Sequence, residues 1–479
     1  MEKPFKTLFI REIQGAIADF RFWVVLILCL SIIPLSFYVS VKNYSQRLSD
    51  YQQEVQAYKD RTSVHSQMAA EGVHPPSPLS IFSRGLDNKM PYKVITSHEG
   101  NYRIEYAKPD NKQDLLGEID FAFIVAFVLS ILAIAFTFSA ISGDKESGVL
   151  RGILSNAVLR RQVLMAKLLG NYLVFLVPFL LSMLVALLVV YTTGVIPIFS
   201  KELFPAVLVM IAISLLFLFA LFNLGLWIST LAQNSILSIN ILLLVWIVLG
   251  LVIPKVSPII GSVIYPVEST GVHESRKAAI RRNILKESEK EEKDLFLKIR
   301  GQLRPGETGV DGRWTDVLSA YDEQYESIRE KYEQLLASET EKLVNDYKLR
   351  CNKQSNLARS IARLSPIYAA NSLIAEFSGT GYSEMDYFMN QAPEYQEYMK
   401  QNYYDKMKFK IYRDENGYMT SGTGNQEDFP TEVPTLENYK SVSLGQIFRQ
   451  NWVDITLLCL YSLLFFVGAF ISFLRFDVR

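Results

Sequence analysis

The chain has 479 residues, 49% of them hydrophobic and 20% charged, with 49 Lys and Arg balanced by 49 Asp and Glu. A net charge of zero leaves no basic footprint for nucleic acid, and three cysteines (Cys29, Cys351 and Cys459) are too few for a disulfide framework. The apolar residues gather into charge-free blocks, and a bilayer core of about 30 Å demands blocks of roughly 20 residues per helix.

Segment 1–21 is predicted as an amphipathic helix in the membrane interface. Phe5, Phe9, Ile13, Ile17 and Phe20 recur at helical spacing, with Lys6, Arg11, Glu12 and Asp19 between them. The first span is read at 22–41. It follows a charged segment and ends at Ser40-Val41-Lys42 without a small-x-small cleavage site, so it is a retained helix rather than a signal peptide. A first outer part covers 42–118, with a polar helix near 44–70, the stretch His74-Pro75-Pro76-Ser77-Pro78, and strand-like residues within 94–106. The second span is read at 119–143, a loop at 144–167, the third span at 168–193 and a short outer loop at 194–203.

The next charge-free run is too long for one crossing. Its polar stretch Ser229, Thr230, Gln233, Asn234 and Ser235 splits it into spans at 204–228 and 236–254, joined by a turn at 229–235. A second outer part covers 255–451, the sixth span 452–474, and the tail 475–479. Each span must be helical, because lipid offers no partner to a free backbone N–H or C=O. The expected fold is mainly α: a polytopic membrane protein with six transmembrane helices and a large, mostly helical extracytoplasmic region.

Within that region, Leu318, Tyr321, Tyr325, Ile328, Tyr332 and Leu335 alternate steps of three and four, a coiled-coil seam. Ile280, Ile284, Leu295 and Ile299 form a second seam, and Pro305, Gly306 and Gly309 break the chain between them. The pattern predicts an antiparallel helical hairpin at about 274–363. A helix of about 45 residues would reach roughly 65 Å. The hairpin reads either as a stalk that contacts an extracytoplasmic protein partner or a substrate, or as an element that only covers the exit or supports its twin in a dimer.

Orientation follows from short loops rich in Lys and Arg, which stay in the cytoplasm. Lys3, Lys6, Arg11 and Arg21 precede the first span; Lys145, Arg151, Arg160, Arg161 and Lys167 lie between the second and third; Arg475 and Arg479 end the chain. An even number of spans puts all three on one side, so both termini are expected in the cytoplasm. The loop 144–167 carries Leu150, Ile153 and Leu154 at helical spacing. A short amphipathic helix between two spans has little to bury inside its own chain, so this face is expected to pack against a second, soluble subunit.

Chemistry is not indicated. The chain holds no Gly-x-x-x-x-Gly-Lys-Ser/Thr, no His-Glu-x-x-His and no Gly-x-Ser-x-Gly element. His65, His74, His98 and His273 fit no metal-ligand spacing. The predicted spans contain essentially no charge, which argues against a proton-coupled carrier or an ion channel.

The run Glu146-Ser147-Gly148-Val149-Leu150-Arg151, followed by Val158, Arg160 and Lys167, resembles the permease subunits of the ABC-2 (type V) ABC exporters. Those permeases carry an interface helix, then a Glu-x-Gly-x-Leu element after the second span, a Pro-Val-x-Arg turn, and a Lys before the third. Ala157 stands here for the usual Pro, and Val149 for a frequent Thr. The stretch from Pro75 to Asp87 and the residues Leu364-Ser365-Pro366 are similar to a subgroup with large extracytoplasmic insertions.

The resemblance implies a multi-pass protein of the bacterial cytoplasmic (inner) membrane that contacts lipid and pairs with a second permease, the same or homologous. It implies an ABC ATPase subunit dimer as partner, with ATP and Mg on that partner and no cofactor in this chain. Glu146, Gly148, Leu150, Arg151, Ile153, Leu154 and Arg160 would form the ATPase-coupling element, with Glu146 in a charge contact to the ATPase or to the interface helix. The chain itself would not be an enzyme; it would export or extract a hydrophobic or amphipathic substrate. The competing reading is a membrane-anchored scaffold or mechanotransmission subunit, whose stalk acts on a partner without substrate passage.

Overall fold

The computed structural model describes residues 2–64, 70–96, 102–106, 119–155, 158–301, 313–404, 410–413, 419–422 and 441–475. The expected loop with Gly422, Gly424, Pro430 and Pro434 lies outside these except for Gly422. Two compact units form, one of residues 1–252 with 363–479, the other of 253–362.

Six helices of the first unit and its margin are long and apolar enough to cross a membrane. Helix α1 (Glu2–Ala18) is followed at once by α2 (Phe20–Val64). The first span and the polar outer helix are therefore one continuous helix, not two elements. No Gly or Pro interrupts 35–64, so nothing stops propagation where the apolar run ends. Beyond it lies a three-stranded antiparallel sheet in the order β1 (Glu71–Val73), β2 (Pro91–Thr96) and β3 (Tyr102–Tyr106). A buried Lys93 on β2 ties this sheet to α2, with Nζ 3.0 Å from Glu54 Oε1 and Glu71 on its other side.

The second span departs from a regular helix. It runs through α3 (Phe121–Phe123), a π-helical segment (Ile124–Leu129), α4 (Ser130–Thr137), a turn, and α5 (Ser142–Glu146). The turn has a local cause. Ser229 Oγ accepts the backbone N–H of both Ile141 and Ser142 at 3.0 Å, replacing helical partners at that point. Helix α6 (Val149–Ser155) follows, then α7 (Arg160–Thr193). The third helix thus begins eight residues before the predicted span, and Lys167, placed by sequence in the loop, sits within it.

Helix α8 (Phe204–Leu231) supplies the centre of the bundle and packs on α4 and on α16 (Trp452–Arg475). Its Gly225 is required by close approach: a Cβ there would overlap Thr137 Oγ1. The next crossing, α9 (Ser235–Ile247) with a π-helical segment (Val248–Val252), continues into α10 (Ile253–Ile264). It runs ten residues past the predicted end at 254, through Lys255 and Pro258. Helices α13 (Pro366–Phe377), α14 (Tyr382–Met399) and α15 (Leu444–Gln450) complete the first unit with a hairpin of β4 (Lys410–Arg413) and β5 (Met419–Gly422).

The second unit is built from α10, α11 (Thr270–Gly301) and α12 (Arg313–Ala362). Glu291 meets Lys331 at 2.8 Å, and His273 stacks on Tyr347, so α11 and α12 run antiparallel. Ile284 and Leu295 are buried in the seam. Leu335, predicted for the facing seam, is 38% exposed, and Leu336 is the half-buried residue instead. An α-helix drifts from a strict heptad, and a two-helix contact without supercoil partners follows that drift.

Candidate coupling site

The residues singled out in the loop 144–167 converge at the end of the bundle that carries both termini. Gly148 separates α5 from α6 with φ +74°, a conformation costly for any residue with a Cβ. The reversal turns Leu150 and Ile153 inward. They are 1% and 9% exposed and belong to the main hydrophobic core, with Leu154 packed against it. This corrects the expectation that the apolar face of α6 has little to bury within its own chain. The outward face consists of Val149, Arg151, Gly152 and Ser155, and Arg151 has no ion-pair partner among the described residues.

Glu146 has a partner within the chain. Its carboxylate accepts the backbone N–H of Ser235, 3.2 Å away, at the first turn of α9. A negative group there complements the helix dipole beside the Asn234 cap, whose Oδ1 accepts from Leu237 N–H. The charge contact to α1 is made by Lys167. Its Nζ lies 3.0 Å from Glu12 Oε1 on α1 and 2.6 Å from Asp144 Oδ2 at the end of the second span, with the Lys167 side chain 5% exposed. One ammonium between two carboxylates satisfies the rule that a buried charge be paired on more than one side.

Helix α1 is pressed onto α7 around this bridge. Gly170 lies one turn beyond Lys167, and a Cβ there would come within 2.9 Å of Glu12 Cβ. Ile13 and Leu8 pack on the core and Phe5 stacks on Phe9, but Ile17 and Phe20 of the predicted stripe are exposed. Ala16, not Ile17, is the buried residue of that turn. Further cations hold helix ends: Lys145 donates to the carbonyls of Thr230 and Ala232 at the end of α8, and Arg21 donates to Ala135 O and Ser139 Oγ. Arg160 donates to Leu474 O, 2.7 Å away, at the end of α16.

Glu12 and Asp144 were not singled out as partners of Lys167 by sequence. The available signal was their location: two acids and one base beside apolar runs, on three segments assigned to the same side. Among the described residues no group of three or more His, Cys, Asp or Glu is placed to hold a metal.

A family model described as ABC-2 family transporter protein matches residues 7–478. The chain belongs to that family. No curated protein matches it. As an ABC-2 permease it is a membrane component of an ABC transporter and not itself the catalytic subunit. The family implies association with an ABC ATPase. The match covers the segments between the spans as well as the spans.

Proposed function

We propose that this permease works beside a separate ABC ATPase dimer and a second permease subunit in a bacterial cytoplasmic membrane, exporting or extracting a hydrophobic or amphipathic substrate. The end carrying α1, α6 and both termini faces the cytoplasm. The ATPase docks on the outward face of α6, where Val149, Arg151 and Gly152 are exposed. The observation that supports this reading is the Glu12–Lys167–Asp144 bridge. It joins the interface helix, the second span and the third helix at one point, so a push on α6 reaches all three as a unit.

In this reading Leu150 and Ile153 anchor α6 to the permease rather than touch the ATPase, and Glu146 couples α6 to the start of α9. The test is co-purification with a candidate ATPase and an ATPase assay of the Val149→Asp, Arg151→Glu double variant. Retained stability with loss of complex is expected. An intact complex with unchanged activity would remove α6 as the docking element. The second reading, a scaffold or mechanotransmission subunit, is favoured by one observation: the 50-residue α12 packs antiparallel on the 32-residue α11 with an interhelical ion pair. Disulfide-locking the hairpin separates the two, since export continues only if the hairpin is not the moving output.

A further inference from the structure

A shallow groove of about 390 Å³ opens between α8 and α16 at the end that carries the termini. Trp227, Leu231, Gly468, Ile471, Ser472 and Arg475 line it. Gly468 makes room for the Trp227 indole: a Cβ there would lie 2.6 Å from the ring. The lining divides by chemistry. Leu231 and Ile471 are 58% and 45% exposed and offer an aliphatic wall. The polar members are all donors. The Trp227 indole N–H, the Ser472 hydroxyl and the Arg475 guanidinium have no hydrogen-bond or ion-pair partner among the described residues.

We infer that this groove binds one anionic phospholipid, its phosphodiester held by Arg475, Ser472 and Trp227 and an acyl chain lying on Leu231 and Ile471. Three donors in one groove, with no carboxylate among its described lining residues, complement an anion and not a zwitterion's ammonium. A guanidinium binds phosphate oxygens in a two-pronged geometry. Tryptophan at the end of a span sits where headgroups begin. Arg160, which donates to Leu474 O, brings a second guanidinium to the same helix end. An inorganic phosphate would use the donors but leave the aliphatic wall wet, so the apolar half of the groove selects the lipid. The inference stands apart from the ATPase reading, since it requires only that α8 and α16 cross the membrane.

The test is native mass spectrometry of the full chain in detergent, titrated with phosphatidylglycerol, phosphatidylcholine and inorganic phosphate. The wild type is expected to retain one phosphatidylglycerol in preference to phosphatidylcholine. Arg475→Gln is expected to weaken retention roughly fivefold, the order expected for one cation at a lipid surface. Arg475→Lys should keep most of it, and Ile471→Gln should lose affinity with the charge intact. Equal retention of the two lipids, or wild-type retention by both Arg475→Gln and Ile471→Gln, overturns the site. Displacement by millimolar inorganic phosphate overturns the lipid assignment. Should Arg475→Gln fail to fold, the Ile471→Gln arm decides alone.

Discussion

Lys167 and Glu12 meet across 155 residues of sequence, Nζ to Oε1 at 3.0 Å, and the Lys167 side chain is 5% exposed. Removing the ammonium strands two carboxylates. Breaking one side of a buried ion pair typically costs about 3–5 kcal/mol. Lys167→Met is therefore expected to lower the thermal midpoint strongly. Glu12→Gln should cost less, because Asp144 still faces the ammonium at 2.6 Å. Thermal unfolding of the two variants in one detergent checks the order; equal losses would mean that Glu12 carries the bridge alone.

Leu150 and Arg151 are neighbours on α6 with opposite fates, one buried and one exposed. Leu150→Asp puts a carboxylate into the core and is expected to abolish a monodisperse protein, by about 3 kcal/mol or more. Arg151→Glu is expected to leave stability within about 0.5 kcal/mol. Size-exclusion profiles distinguish the two; a well-behaved Leu150→Asp protein would return the apolar face of α6 to the surface.

Gly225→Ala is expected to destabilise by about 1–3 kcal/mol, since the added methyl meets Thr137 Oγ1 and its Cβ. Thr137→Ala in the same chain removes the obstructing hydroxyl and should recover part of the loss. Unfolding midpoints of the two single variants and the double variant measure the coupling. Simple additivity would show that the helices separate rather than clash.

Arg363 and Asp454 form a two-pronged pair, Nε to Oδ1 at 2.7 Å and Nη2 to Oδ2 at 2.9 Å, with the Asp454 side chain 3% exposed. The hydrogen bond to Asp454 holds the guanidinium above its ordinary pKa. Asp454→Asn keeps the shape and loses the charge, and is expected to cost about 2 kcal/mol. Tyr461, which donates to Arg363 O at 2.7 Å, should then show faster hydrogen exchange in the backbone around it. An unchanged exchange pattern would mean that packing alone positions the start of α16.

Lys93 sets a pH dependence for the three-stranded sheet. Burial pulls its pKa down, but the hydrogen bonds it donates to Glu71 and Glu54 outweigh that and leave it above the usual lysine value. The fold thus binds the proton more tightly than the unfolded chain does. The stabilisation is complete below the unfolded lysine pKa of about 10.5 and is lost as pH rises through the higher folded value. Exchange-corrected protection of β2 amides should hold between pH 8 and 10 and fall above that range; a fall near neutrality would point to another group.

The spans were legible because lipid imposes a one-dimensional rule: a crossing helix must be apolar over its whole length, and that requirement is written in consecutive residues. The family resemblance rested on contiguous residues too, Glu146 to Arg151 with Lys167. Helix ends were less legible. Arg160 at the start of α7 finds its partner at Leu474 O, which no local window contains, and Lys255, a charge that reads locally as the end of a span, does not end the helix. The same holds for the break after Thr137, caused by a serine 92 residues away in sequence, Ser229.

The amino-acid order by itself determined that this chain crosses a membrane six times with short basic segments at one end, because hydropathy and charge act residue by residue. Tertiary structure alone decided that Leu150 and Ile153 are core, that Lys167 bridges Glu12 and Asp144, and that Glu146 caps α9. A helical period states that one face must be covered and is silent on whether the cover is the same chain or another. Only the folding of Leu150 and Ile153 into the main hydrophobic core of the chain supplied the answer.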